Sequence, residues 1–122
     1  MGKVMQKLFV ALLFALYACS AAAEGYLDGN RLLQRYQAKK RMVDGKGDAL
    51  SADAIDAGFY IGYVQGAAES LTDLLCLPEK LTASHAEEIV GTYLESHPEK
   101  RQKPASFLVR KALAEAYPCA KK

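Results

Sequence analysis

The spacing of apolar residues is the feature of this sequence that most restricts its fold. No run alternates apolar and polar residues with the period of two that a half-buried β-strand requires. Apolar residues instead recur three or four positions apart, and prolines and glycines interrupt this helical pattern at intervals. We therefore predict an all-α fold, a compact bundle of about four helices joined by short connections.

The expected helices begin at residues that suit a helix N-terminus. In chain order these residues are Asn30, Ser51 or Asp53, Thr82 and Pro104. We expect the second helix to run to about Leu75 and the third to span Ala83 to Ser96. The residues predicted to face the core are Leu32, Leu33 and Tyr36, with Val43 as a further candidate, then Ala86, Ile89, Val90, Tyr93 and Leu94, and finally Ala105, Leu108, Val109, Ala112, Leu113 and Ala116.

The N-terminal segment has the three parts of a cleavable secretory signal. Two lysines precede an apolar stretch, Leu8 to Ala18, and small residues follow at Ala21-Ala22-Ala23. The apolar stretch is shorter than the roughly 20 residues that a helix needs to cross a bilayer. We expect cleavage before Glu24, which makes residues 1–23 a signal peptide and residues 24–122 one domain that works outside the cytoplasm.

Lipid attachment is the alternative fate of this segment. Leu16-Tyr17-Ala18-Cys19 is similar to a lipobox, the motif that leads to acylation of a cysteine. Tyr17 is bulkier than the residues usual at its position, and cleavage after Ala23 would discard Cys19. We therefore favour a free domain outside the cytoplasm without stable membrane association, with a lipoprotein anchored through Cys19 as the minor alternative.

Charge argues against a nucleic-acid partner. The chain has 16 Lys and Arg residues against 14 Asp and Glu residues, and Lys3 and Lys7 leave with the signal peptide. The mature domain is thus formally neutral apart from its histidines. A neutral domain has no electrostatic attraction to nucleic acid or to anionic lipid.

Two cysteines, Cys76 and Cys119, remain in the mature domain. In an oxidising compartment an even pair in a small domain most simply forms a disulfide, with two free buried thiols as the alternative. A disulfide would close the loop between residues 76 and 119. In the chain-entropy model, closing a loop of that length stabilises the fold by about 4 kcal/mol.

Three glycines, Gly58, Gly62 and Gly66, recur every fourth residue in the expected second helix. They share one helix face, and each costs about 1 kcal/mol of helix propensity relative to alanine. Close approach of another backbone is the usual reason for such a face. We expect this packing to occur within the domain, and a homodimer interface is the alternative.

Residues for catalysis or metal binding are missing at the required spacing. His85 and His97 are the only histidines, and neither has a cysteine or a carboxylate at ligand spacing. No serine lies in a nucleophile turn, and Glu87-Glu88 is interpreted as an ordinary acidic pair on a solvent-facing helix start. We therefore predict no catalytic site, no metal and no cofactor, and the chain is not expected to be an enzyme.

Several motifs together resemble the Rap/Tai immunity family, over roughly residues 30–119. They are Gly58-Phe59-Tyr60-Ile61-Gly62-Tyr63-Val64-Gln65-Gly66-Ala67-Ala68, Cys76-Leu77-Pro78, Tyr93-Leu94-Glu95-Ser96-His97-Pro98-Glu99, Pro104-Ala105 and Ala112-Leu113-Ala114-Glu115-Ala116-Tyr117-Pro118-Cys119. The resemblance implies an all-α periplasmic protein, often a dimer, that blocks the active-site groove of a type VI secretion peptidoglycan amidase effector. It also implies that two further cysteines of many relatives fall at Tyr36 and Tyr60, so that one of the family's two disulfides is missing here.

Loops and helix ends are the segments best suited to enter such a groove, because they carry recognition on a rigid scaffold. Our preferred partner-binding segment is His97, Pro98, Glu99, Lys100 and Arg101, since Pro98 restricts the backbone and lowers the ordering cost of binding. A simple helix connector is the alternative role of this segment. The loop from Asp44 to Asp48 is the second candidate. For the whole chain, a periplasmic helical interaction domain with another partner is the alternative function.

Overall fold

The computed structural model describes residues 2–18, 27–48 and 50–120. It contains five α-helices in these ranges: α1 (Gly2–Ala18), α2 (Gly29–Val43), α3 (Ala52–Ser70), α4 (Ala83–Ser96) and α5 (Ala105–Ala116). A short 3-10 helix, Pro98–Lys100, connects α4 to α5. The described chain has no β-strand, only one isolated bridge between Asp28 and Pro104, so the predicted all-α fold is confirmed.

Residues 2–18 of the predicted signal peptide form α1, and the side chains from Gly2 to Ala11 are exposed. No helix of the described ranges has both the length and the apolarity that crossing a membrane requires. The expected cleavage site at Ala21-Ala22-Ala23 and the lipobox cysteine, Cys19, lie outside the described residues. Cleavage before Glu24 therefore stays a prediction.

Helices α2 to α5 enclose one core. Consecutive helices pack on each other, and α3 also packs on α5. The fully buried side chains include Leu32, Tyr60, Val64, Val90, Leu94, Leu108, Val109 and Leu113. The prediction of burial is wrong for two of the candidate core residues, because Val43 is 75% exposed and Ala116 is also exposed. Both occupy the last turn of a helix, where the chain leaves the core.

The predicted starts of α3 and α4 are confirmed. Ser51 and Thr82 are the N-caps, and their hydroxyl oxygens accept hydrogen bonds from the amides of Asp53 and His85. Asn30 was expected to cap α2, but the cap is Asp28, whose carboxylate accepts from the Arg31 amide at 2.9 Å. Because α2 begins at Gly29, Asn30 lies inside the first turn rather than at the cap position, and its own amide donates to a carbonyl of the α4–α5 connection.

Helix α3 ends at Ser70, five residues before the expected end at Leu75. The hydroxyl of Ser70 donates to the Ala67 carbonyl, and that of Thr72 donates to the Glu69 carbonyl. The same two carbonyls also accept hydrogen bonds from the amides of Leu71 and Thr72, so side chains and backbone amides together close the end of the helix. The chain then continues through turns to Cys76.

The predicted disulfide between Cys76 and Cys119 is present, with the two Cα atoms 5.2 Å apart. It joins the segment after α3 to the segment after α5. The two positions expected to hold a second bridge in relatives are also neighbours, since the rings of Tyr36 and Tyr60 lie 5.2 Å apart between centroids. An aromatic contact thus links α2 to α3 at the place where the resemblance implies a second disulfide.

Candidate partner-binding surface

The preferred segment, His97 to Arg101, forms a tight turn that is bonded to the end of α4. Arg101 donates from Nε to the Leu94 carbonyl at 2.7 Å and from Nη2 to the Glu95 carbonyl at 2.9 Å. These carbonyls belong to the last turn of α4, which has no further helical amides to bind them. The guanidinium of Arg101 therefore serves as a C-terminal cap rather than as a free charge for a partner.

The same turn is also bonded to the start of α2. The amide of Asn30 donates to the Arg101 carbonyl, and the amide of Gly29 donates to the Lys103 carbonyl, both at 3.1 Å. The amide of Ala105 donates to the Leu27 carbonyl at 2.8 Å. A Cβ atom at Gly29 would lie only 2.8 Å from the Arg101 Cα atom, so the close approach requires glycine here.

Two further residues of the turn contact Tyr93 of α4. The His97 ring stacks on the Tyr93 ring at 4.1 Å between centroids, and its Nδ1 atom lies 2.8 Å from the Tyr93 carbonyl. The Lys100 ammonium is 3.4 Å from the Tyr93 hydroxyl, and this hydrogen bond raises the pKa of Lys100. The side chains of Pro98 and Glu99 are left exposed, and so are those of Gln102 and Lys103.

The second candidate, the loop from Asp44 to Asp48, is built from local hydrogen bonds. Gly45 has a φ of +69°, a left-handed conformation that glycine adopts readily. The amides of Lys46 and Gly47 both donate to the Arg41 carbonyl at 2.9 Å. This loop follows the end of α2, whereas the 97–101 turn is bonded to its start. The two candidates are therefore separated by the length of α2, about 22 Å, and do not form one surface.

The buried carboxylate of Glu87 joins α2, α3 and α4. Our interpretation of Glu87 as a solvent-facing residue is therefore wrong. Glu87 is 4% exposed, and its carboxylate lies 2.6 Å from the Lys39 ammonium. The carboxylate also accepts a hydrogen bond from the Gln65 side chain at 3.1 Å. The Tyr60 hydroxyl donates to the Glu87 backbone carbonyl at 2.5 Å, and burial raises the pKa of this hydroxyl. The carboxylate is thus committed to holding three helices together.

Contrary to our expectation, no described part of the domain packs against the glycine face of α3. Gly58, Gly62 and Gly66 are exposed, and a Cβ atom at any of them would meet nothing within 4 Å in the described chain. The glycine that is closely packed is Gly91 of α4, where a Cβ atom would collide with the Tyr36 ring. The alternative interpretation of the α3 glycines, a homodimer interface, stays a prediction.

A sequence profile of the Rap1a immunity proteins matches residues 18–119. The chain belongs to this family. The suspected Rap/Tai relationship is therefore confirmed, over nearly the whole chain. No curated protein sequence matches it. An immunity protein binds a cognate effector protein, so the surface of this chain, rather than an internal cavity, is where its function should lie.

In this immunity protein a shallow groove adjoins the 97–101 turn. It lies between α4 and α5 and has a volume of about 410 Å³. Ile89 and Ala112 are among its apolar lining residues, and it is also lined by the carboxylate residues Glu88 and Glu115. Tyr93, which lines the groove, also contacts His97 and Lys100. The groove therefore lies next to the turn, and the sequence pattern did not reveal it because its residues come from two helices.

Among the described residues, no three His, Cys, Asp or Glu side chains are grouped so that they could hold a metal ion. His85 is exposed near the start of α4, and the His97 ring is stacked on Tyr93. The contacts that the structure gives to Glu87 and His97 are structural ones.

Proposed function

We propose that this chain is a periplasmic immunity protein that inhibits a type VI secretion peptidoglycan amidase by occupying its active-site groove. Membership of the Rap1a immunity family carries this proposal. The disulfide supports it, because such bonds persist in oxidising compartments such as the periplasm. The family resemblance supports the amidase as the effector class and a homodimer as the working form.

The 97–101 turn is the contact that we assign to the amidase. Its backbone is fixed by hydrogen bonds to the start of α2, and its Arg101 side chain is fixed on α4. A segment that is already ordered loses little conformational entropy on binding. The exposed side chains of Pro98 and Glu99, with Gln102 and Lys103 beside them, are then available to enter a groove.

Inhibition by occlusion is tested by titrating the amidase encoded in the same locus with the mature domain. We expect peptidoglycan cleavage to fall in proportion to added domain and to end at a stoichiometric ratio. Absence of binding to every amidase of the species and its neighbours would instead favour a periplasmic interaction domain with another partner.

The contact is tested by reversing exposed charges without disturbing the Arg101 cap. The double variant Glu99→Lys with Lys103→Glu should bind the amidase at least tenfold more weakly and keep its melting temperature. The matched control reverses two exposed charges of the other loop, Asp44→Lys with Lys46→Glu, and should bind as the wild type does. If the first variant binds the amidase as tightly as the wild type does, the amidase contact lies outside the 97–101 turn. Arg101 is left intact because its removal would uncap α4.

Export is tested by the intact mass of protein recovered from the periplasm. A chain that begins at Glu24 and carries no acyl group would agree with the proposed signal peptide. A mature form that begins at an acylated Cys19 would instead make this protein a membrane-anchored lipoprotein.

A further inference from the structure

The groove between α4 and α5 is open because many of the side chains along it are small. Thr92 and Ser96 line it on α4, and Ala112 and Ala116 line it on α5. The Ser96 hydroxyl is turned back onto its own helix, where it donates to the Thr92 carbonyl at 2.6 Å. These side chains are too short to close the gap, so a space of about 410 Å³ is left between the two helices.

The floor of the groove is apolar and is fixed by the core. Tyr93 is 7% exposed and Ala112 is 2% exposed, so both residues belong to the core as well as to the groove. Ile89 is half-buried and packs against the same core. The Tyr93 ring is also held by the His97 ring, which stacks on it at 4.1 Å. A surface that is already ordered loses little conformational entropy when a partner binds.

One carboxylate of the groove, Glu88 of α4, is exposed to solvent. None of the ion pairs formed in the described part of the chain includes it. Lys39 and Lys40 line a neighbouring pocket together with Glu88, but their ammonium groups are paired with other carboxylates, at 2.6 and 2.9 Å. The charge of Glu88 is therefore left for a group outside the domain.

A second carboxylate, Glu115 of α5, is exposed in the same groove and is also absent from the ion pairs of the described residues. A hydrogen bond to the Tyr93 hydroxyl and, more weakly, the charge of Glu115 raise the pKa of Lys100. The Lys100 ammonium nevertheless lies beside the Tyr93 hydroxyl, at 3.4 Å, and not within ion-pair distance of Glu115. The apolar floor is thus accompanied by one carboxylate from each helix.

This combination selects the chemistry of a partner. Carboxylates repel the phosphates of nucleic acid and of anionic lipid. The groove is shallow, whereas a site for a small molecule encloses most of its ligand. An apolar groove with carboxylates on both helices fits a protein segment whose apolar side chains lie between basic ones, because burial and charge are then both complementary.

We propose that the α4–α5 groove binds a segment of the effector in which apolar side chains are flanked by Lys or Arg, and that Glu88 and Glu115 pair with these cations. The inference rests on the proposed function for the identity of the partner. Tyr93 lines the groove and also contacts the 97–101 turn, so one effector can cover both.

The charges are tested by the affinity of the mature, disulfide-bonded domain for the amidase encoded in the same locus. Glu88→Gln with Glu115→Gln should bind about tenfold more weakly at an unchanged melting temperature, and added salt should reduce the difference from the wild type. Glu69→Gln with Glu79→Gln removes the same charge at exposed positions that do not line the groove, and should bind as the wild type does. An amidase that binds the first variant as tightly as the wild type would overturn the groove and leave the proposed function standing.

The apolar part of the groove is tested by filling it. Ala116→Leu adds an apolar side chain at an exposed position of the groove and should weaken amidase binding about tenfold, because it occupies the space that the partner needs. The matched control is Ala52→Leu, at an exposed position of α3 that does not line the groove. Unchanged affinity of the Ala116→Leu variant would show that the partner does not enter the groove.

A last measurement does not depend on the amidase. It uses the synthetic peptide acetyl-Arg-Leu-Leu-Arg-amide and its acidic counterpart, acetyl-Glu-Leu-Leu-Glu-amide. In an NMR titration of the domain, the basic peptide should shift the amide signals of Ile89, Thr92 and Ala116, and the acidic peptide should not. These shifts in a domain that binds no amidase would uphold the groove as a site for basic segments and reject the proposed function. Their absence in such a domain would overturn both.

Discussion

Glycines serve opposite purposes in two regions of this domain. At the junction of α2, α3 and α4, Gly91 lies against the Tyr36 ring with no room for a methyl group. On the glycine face of α3, Gly58, Gly62 and Gly66 have open space above them in the described residues. All four are helical glycines with the same intrinsic cost. The comparison teaches that regular glycine spacing marks a face that the domain leaves open, whereas the single glycine of α4 is the one that the core requires.

The largest expected effect is that of Gly91→Ala at the junction. The added methyl group would displace the Tyr36 ring, which is itself held against Tyr60, and we expect a loss of about 3 kcal/mol in the free energy of unfolding. Urea denaturation measures this loss. Gly58→Ala is the matched control on the glycine face of α3. Equal stability of the two variants would show that the junction is not tightly packed.

The second effect concerns the buried carboxylate of the same junction. Glu87→Leu leaves the Lys39 ammonium without its partner, and removal of one member of a buried ion pair costs about 3 kcal/mol. We use the low end of the cost range for breaking a buried ion pair because the Lys39 side chain remains 18% exposed. Its neighbour provides the control, since Glu88 is exposed and Glu88→Leu should change the unfolding free energy little. Adding Lys39→Met to Glu87→Leu should recover much of the loss, and no recovery would argue against the ion pair as the cause.

The sequence predicted the local features of this fold and missed those that depend on contacts between helices. Caps at Ser51 and Thr82, the extent of α4 and the cysteine pair follow from nearby residues or from simple counting. Burial of Glu87 was not predictable, because it depends on Lys39 of another helix reaching the carboxylate.

The same reasoning applies to the candidate site. The 97–101 turn could be selected from its proline and its position between helices. The cap formed by Arg101 could not, because it depends on how the chain folds back on α4. The groove beside the turn also combines residues of α4 and α5, which no single sequence segment contains.

The third effect is smaller and depends on pH. Tyr60→Phe removes the hydrogen bond to the Glu87 carbonyl and should lower the unfolding free energy by about 1 kcal/mol at neutral pH. Burial raises the pKa of Tyr60 above its ordinary value of 10.0, so the folded state holds the phenolic proton more tightly than the unfolded state does. The contribution that the protonated Tyr60 makes to the free energy of unfolding is therefore fully present below pH 10 and is lost as the pH rises above that value.

Urea denaturation between pH 8 and about 11 measures this dependence. The wild type should lose stability at the alkaline end, and Tyr60→Phe should lose less. Part of the loss should remain in the variant, because burial also raises the pKa of Tyr36 and of Tyr63. An identical alkaline slope in the two proteins would show that Tyr60 titrates as an exposed tyrosine does.

The smallest effect has the opposite sign and lies on the glycine face of α3. In a single copy, Gly62→Ala adds a methyl group to open space and removes a helix-disfavouring residue, so the unfolding free energy should rise by up to about 1 kcal/mol. Urea denaturation measures this rise, and Gly91→Ala is the contrasting variant that should lose stability. A destabilised Gly62→Ala variant would mean that the glycine face of α3 is packed within the domain after all.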